Sequence, residues 1–177
     1  MPTDAPALPH PDLVAAIPRL RRYARVLTGE ASRADDLVQD TLARAWEKRG
    51  LWQAGTDLRA WLFTVMHNLF VNQRALARRD AATLSLDASS ALGDAWQVSV
   101  PASQHLHVEL QEVIVQLGRL PAEQREVLVL AAVEEMKYEE IAQVLDIPVG
   151  TVMSRLSRAR EKLRRIVAEP VPLKIVR

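Results

Sequence analysis

"KYEEIAQVLDIPVGTVMSRLSRAREKL", residues 137–163, decides how this chain is read. Ile141, Ala142 and Leu145 put apolar side chains on one side of a short helix. Asp146 and Ile147 make a turn, and Pro148 opens a longer helix, where its missing N–H costs nothing. In that longer helix Val152, Leu156, Ala159 and Leu163 follow one another by four, three and four residues, a single buried stripe. Ser154, Arg155, Ser157 and Arg158 then fall largely on the open side. A short helix, a tight turn and a basic helix make a helix-turn-helix. Its small residues agree. Ala142 lies where two helices must approach closely, and Gly150 and Thr151 open the second helix where a bulky side chain would foul a DNA backbone. The amides at that helix start can meet a phosphate.

Charge points the same way. Between Ile147 and Arg165 stand Arg155, Arg158, Arg160, Lys162, Arg164 and Arg165 against a single acid, Glu161, although the whole chain carries a net charge of only +1. From Ala81 to Met136 the balance is reversed: Arg119 and Arg125 face Asp87, Asp94, Glu109, Glu112, Glu123, Glu126, Glu134 and Glu135. A basic patch on a near-neutral chain suits a polyanion at that patch alone, the competing reading being a solvated helix face. Arginine can read guanine bidentately in the major groove, and Ser and Thr can hold phosphate or base edges.

The totals exclude several classes. With 177 residues there is room for one medium domain or two small ones. Cysteine is absent, so there is no disulfide framework, thiolate zinc site or cysteine nucleophile. No apolar run approaches the roughly 18 residues of a membrane span. The opening "MPTDAPALPHPD" has prolines and acids where a signal peptide needs a basic start and an apolar core, so a cytoplasmic protein is expected. His105 and His107 flank Leu106 without the further ligands a metal site needs. No nucleophile–base pair or phosphate loop announces an enzyme, and no cofactor is expected.

The rest reads as helix. Leu13, Ile17, Leu20, Ala24 and Leu27 form one stripe, ended by Gly29. Ser32 is the expected cap of a second helix, with Asp35 and Asp36 in its first turn and Leu37, Val38, Thr41, Leu42, Ala45 and Trp46 turned inward. Thr56 is the expected cap of a third, residues 57–79, with Leu58, Trp61, Leu62, Val65, Leu69 and Leu76 buried. Phe63 and Phe70 suit the core at this spacing, and Trp61 belongs there too. From Asp80 to about Gln104 periodicity fails in an Ala- and Ser-rich stretch read as a linker. Leu106, Leu110, Val113, Ile114 and Leu117 restore it; Pro121 starts a further helix carrying Val127, Leu128, Leu130, Ala131 and Val133. The expected fold is all-α: two small helical domains, residues 8–80 and 105–168, joined by a linker, 81–104, and followed by a tail, 169–177.

"LPAEQREVLVLAAVEEMKYEEIAQVLDIPVGTVMSRLSRAREKLRR" closely resembles the second domain of bacterial RNA polymerase sigma factors of the ECF (extracytoplasmic function) group. "ADDLVQDTLARAWEKR" and "DLRAWLFTVMHNLFVNQRALARR" resemble that group's first domain, in the right order, so the likeness runs from about Leu13 to Arg165. The first half looks especially like the general stress response type.

The resemblance implies a promoter-selecting subunit that leaves the chemistry to core RNA polymerase. It places −35 recognition on Thr151, Ser154, Arg155, Ser157 and Arg158, with Arg160, Arg164 and Arg165 serving phosphates or a protein contact. "DDLVQD" matches the segment that docks on the coiled coil of the polymerase's largest subunit, through Asp36, Gln39 and Asp40. "MHNLFVNQRALARR" matches the −10 reading and strand-opening segment: Asn68, Asn72, Gln73 and Arg74 on bases and strand, Arg78 and Arg79 on backbone. Amides at that spacing can bond the edges of an extruded base. An anti-sigma protein is the further partner implied. Pro148 departs from the family, which often has a small polar cap there. Two rivals stay open: a sigma-like decoy that titrates an anti-sigma factor, and a simple operator-binding regulator.

Overall fold

The structure is a computed structural model that describes residues 10–53, 55–84 and 116–168. The linker, His105, His107, the Leu106–Ile114 stripe and the Arg78 side chain lie outside the described residues. In order come α1 (His10–Thr28), α2 (Ala31–Glu47), a 3-10 turn (Arg49–Leu51), α3 (Leu58–Leu84), α4 (Ala122–Ala132), α5 (Tyr138–Leu145) and α6 (Val149–Ala168). Among the described residues there is no strand.

The elements begin and end for local reasons, not always the expected ones. Gly29 closes α1 at φ 74°, where a side chain would be strained. Glu30, not Ser32, stands at the cap of α2; the Ser32 hydroxyl donates to Glu30 Oε1 at 2.6 Å instead. Asp35 and Asp36 therefore lie past the first turn. At α3 the cap is Asp57, whose Oδ1 accepts the amides of Arg59 at 2.8 Å and Ala60 at 3.3 Å. The Thr56 hydroxyl is spent on the Gln53 carbonyl. α3 also runs on to Leu84, past the expected end, because Asp80–Leu84 contains no glycine or proline to stop it. Pro121 sits one place before α4, at its cap. Pro148 precedes α6 in the same way, its carbonyl accepting the amides of Thr151 and Val152.

α1, α2 and α3 pack together as one unit, and α4, α5 and α6 as another. Leu20, Tyr23, Ala24, Leu37, Val38, Leu62, Phe63 and Met66 fill the first. Val127, Leu130, Ile141, Val144, Val152, Leu156 and Ala159 fill the second. The two units also touch. α3 lies on α5 and α1 on α4, so the buried side chains form one continuous core. Burying Phe63, Tyr23 and Leu62 alone is worth about 1.5–3 kcal/mol each.

Three expected core residues are outside it. Trp46 is 51% exposed, Leu76 58% and Val133 46%. Trp46 lies beyond the end of the packed face of α2, where Arg49 covers its ring at 5.3 Å. Leu76 is on the half of α3 that has outrun its neighbours, and Val133 follows the last turn of α4. Trp61, Leu69 and Phe70 are partly buried against the core, as their spacing predicts.

Candidate nucleic-acid interface

The helix-turn-helix is formed by α5 and α6. Asp146 between them adopts φ 51°, ψ 50°, the left-handed turn geometry, and its amide closes on the Ala142 carbonyl. Ile147 donates to that same carbonyl at 3.1 Å. α5 is tied down at its start by Glu140, whose carboxylate accepts the Lys137 amide at 2.9 Å. α6 buries Val152, Leu156, Ala159 and Ile166. Its opposite face leaves Ser157, Arg158, Arg160 and Arg164 exposed, with no ion pair among the described residues for those three arginines. Thr151 is half-buried at the helix start.

Two residues expected on that face are turned elsewhere. The Ser154 hydroxyl donates to the Thr151 carbonyl at 3.0 Å, inside its own helix. Arg155 is folded back, pairing with Glu123 of α4 at 2.7 Å. The guanidinium has five donors, so this pair leaves others to offer.

On the first unit, Asp36, Gln39 and Asp40 are all exposed along α2. Asp35, which the sequence grouped with them, is half-buried and paired with Arg21 at 2.8 Å. Asn68, Asn72, Gln73 and Arg79 are exposed on α3. Arg74 is half-buried, its guanidinium 5.6 Å from the centre of the Phe70 ring. The structure joins two of the expected sites: Gln73 Nε2 donates to Asp40 Oδ2 at 3.0 Å, across from α3 to α2.

A set of residues that the sequence did not single out lies where the units meet. Glu126 of α4 accepts the Tyr23 hydroxyl at 2.5 Å and lies 2.7 Å from His67 Nδ1. Tyr23 is fully buried, and burial first, with the Glu126 carboxylate second, holds its phenol well above the usual tyrosine range. Glu134 is fully buried; its Oε1 takes Nε and Nη2 of Arg22, each at 3.2 Å, and its Oε2 has Arg19 at 3.7 Å. Arg59 of α3 donates to the Glu134 carbonyl at 2.9 Å. The available signal was faint: three carboxylates, Glu126, Glu134 and Glu135, in an otherwise apolar helix and turn, "EVLVLAAVEE". Beside these contacts the units enclose a cleft of about 420 Å³, lined among others by Leu27, His67, Phe70, Leu145 and Ile147.

The geometry is that of an all-helical, two-unit protein presenting a basic helix-turn-helix. Comparison with known proteins makes this specific. Residues 13–67 match the family described as the Sigma2 domain of PhyR, and residues 110–163 match Sigma-70, region 4. The chain is 40% identical over 156 residues to the ECF RNA polymerase sigma factor EcfG of Rhodopseudomonas palustris, covering 88% of this chain and 83% of that protein. It is 35% identical over 151 residues to the ECF RNA polymerase sigma factor SigL of Mycobacterium tuberculosis, covering 85% of this chain and 83% of the relative. Among solved structures, the sigma factor RpoE of Bartonella quintana, in complex with the anti-sigma factor NepR, superposes with a TM-score of 0.77 at 32% identity, covering 91% of this chain and 97% of that one. The chain belongs to the ECF RNA polymerase sigma factors. It directs promoter-specific initiation of transcription. Sigma factors are not enzymes in the catalytic sense.

Proposed function

We propose that α6 reads the −35 element with Thr151, Ser157, Arg158 and Arg160, helped by Arg155 and Ser154 once DNA is bound. The observation that carries this reading is the two-sided build of α6. One face is buried on α4 and α5 along its length, so the other is held rigid and open. The exposed half of α3, with Asn68, Asn72, Gln73, Arg74, Arg78 and Arg79, takes the −10 strand. Asp36, Gln39 and Asp40 of α2 meet the coiled coil of the polymerase's largest subunit. The domains run over residues 8–80 and 105–168, with 81–104 as linker and 169–177 as tail. The protein works in the cytoplasm, performs no catalysis of its own and is held inactive by an anti-sigma protein. Support for that partner comes from the RpoE relative, solved with the anti-sigma factor NepR, and from CnrH, 29% identical with a TM-score of 0.64, solved with the cytosolic domain of CnrY. The similarity to EcfG supports the general stress response type.

Run-off transcription with purified core polymerase and a promoter library tests the assignment. Starts that depend on this protein, and that weaken when Asp36 and Asp40 become alanine, are expected. Binding to core polymerase without any dependent transcript would favour the decoy, a reading to which the match with the PhyR domain lends some weight.

A further inference from the structure

The open face of α6 is not polar throughout. From Val149 to Leu156 only Met153 presents an exposed side chain, and it is 54% exposed. Gly150 is open but has no side chain, Val149 and Thr151 are half-buried, and Val152 and Leu156 are buried. The two remaining polar groups are engaged within the protein, the Ser154 hydroxyl on the Thr151 carbonyl and Arg155 on Glu123 of α4. The first turns of a recognition helix are the part that reaches base edges. In this chain those turns hold out a thioether.

Its neighbours leave it room. Gly150 lies one turn earlier on the same side, and a Cβ added there would meet nothing within 4 Å. Helical side chains lean toward the N-terminus over the preceding turn, so Met153 leans over bare backbone. Ser157, one turn later, is short. At about 100° per residue, Arg158 and Arg160 fall on opposite flanks of the line Gly150–Met153–Ser157. The cations therefore bracket a centre whose longest side chain is uncharged and apolar.

We propose that Met153 is a specificity-determining residue whose side chain packs on the 5-methyl group of a thymine in the −35 element. The inference rests on the reading of α6 given above and sharpens it. That methyl is the one apolar group a base pair shows in the major groove. A thioether has no donor and only a weak acceptor, so it cannot answer an amino group, a carbonyl or a purine N7. Against a G·C pair it would strip water from those groups and give nothing back. Against thymine it removes two apolar surfaces from water together. Methionine is unbranched, with three rotatable bonds, so it can follow the methyl without moving the helix. Because the methyl belongs to one strand, the contact also separates T·A from A·T, which the flanking arginines, suited to guanine, do not.

The test deletes the methyl alone. A synthetic duplex carrying a promoter found by the run-off assay is made with each −35 thymine, on either strand, replaced in turn by deoxyuridine. Binding of holoenzyme is measured at one fixed salt concentration. At one position the loss of the methyl is expected to weaken the parent about fourfold. Met153→Ala should bind the thymine duplex about fourfold more weakly and be indifferent to the methyl, so that the two losses do not add. Met153→Leu should keep the methyl dependence, and Met153→Gln should lose it. Alanine, leucine and glutamine are all good helix formers and the site is exposed, so unchanged melting temperatures are expected. A methyl effect of the same size in the parent and in Met153→Ala, no methyl effect at any position, or a −35 element without an A·T pair would overturn the assignment. Arg158→Ala on the same DNA separates the two levels. If it weakens binding while Met153 and the methyl do not couple, the assignment of Met153 falls alone. If it too changes nothing, α6 is not the reader and both fall.

Discussion

α3 and α6 are the two long helices with an open polar side, and they are anchored in opposite ways. α6 is buried along one face for nearly its whole length, from Val152 to Ile166. α3 is anchored mainly by its first half: Leu62, Phe63 and Met66 are buried, while Val71, Asn72, Gln73, Ala75 and Leu76 are exposed and Arg74 among them is half-buried. The difference suits the two targets proposed for these helices. Duplex DNA offers a groove of fixed shape, and a helix with one stiff open face fits it. An unpaired strand has no fixed shape, and a helix end that projects from its support can be wrapped by it.

The largest way to break this contrast is to remove its anchors. Phe63→Ala should cost about 3–5 kcal/mol and Leu156→Ala about 2–5 kcal/mol, read by chemical denaturation. Their consequences should differ. Phe63 packs edge-on to Tyr23 at 5.1 Å, and Tyr23 reaches Glu126, so its loss should weaken both domains and their contact together. Leu156→Ala should melt α4–α6 first and leave the first domain's transition in place. Two coincident transitions in that variant would mean the domains share one cooperative unit.

Next comes the open face of α6. Arg158→Ala should lower promoter affinity by about 1–3 kcal/mol with no change in melting temperature, and relax sequence preference at one position. Arg164→Ala should instead weaken binding evenly across sequences and reduce the salt slope by about 1. Equal behaviour of the two would remove the distinction between reading and phosphate contact on this helix.

A smaller effect sharpens the comparison at the helix starts. α3 has a side-chain cap in Asp57, whereas Pro148 offers α6 only its carbonyl. Asp57→Ala should therefore cost about 1 kcal/mol, most of it fraying the first turn of α3, visible by hydrogen exchange. The smallest effect is confined to alkaline solution. Tyr23 has a phenol pKa raised in the folded chain, so its contribution is complete below about pH 10, the unfolded value. Above that pH the unfolded chain ionises first and stability falls. Tyr23→Phe should reduce that decline relative to the parent, measured as the difference between their denaturation curves from pH 9 upward.

Local pattern carried most of the fold. The stripe Val152–Leu156–Ala159, the turn at Asp146 and the stop at Gly29 are each set by residues within a few positions, and each stands where the spacing predicts. Trp46 and Leu76 fail for a shared reason: periodicity says which way a side chain points, not whether a neighbour is there to meet it. The site is legible in the same degree. Ser157, Arg158, Asn68 and Asn72 are open on their helices. Arg155 and Gln73 are drawn to Glu123 and Asp40, partners 32 and 33 residues away that no local pattern connects to them. Glu126 and Glu134 were visible only as part of an acidic stretch. A carboxylate that will be buried between domains looks in sequence like one that will be hydrated.

Trp46 has a use beyond packing. Its indole is half open to solvent on α2, seven residues after Gln39 and on the same side of the helix, with Arg49 across its ring. Trp52 is buried and Trp61 half-buried in the core region. The surface that carries Asp36, Gln39 and Asp40 thus has a fluorophore of its own. When a protein covers α2, emission from Trp46 should shift to shorter wavelength, while Trp52 and Trp61 change little. Docking on this face can be followed in real time by light, with the native chain and no added dye.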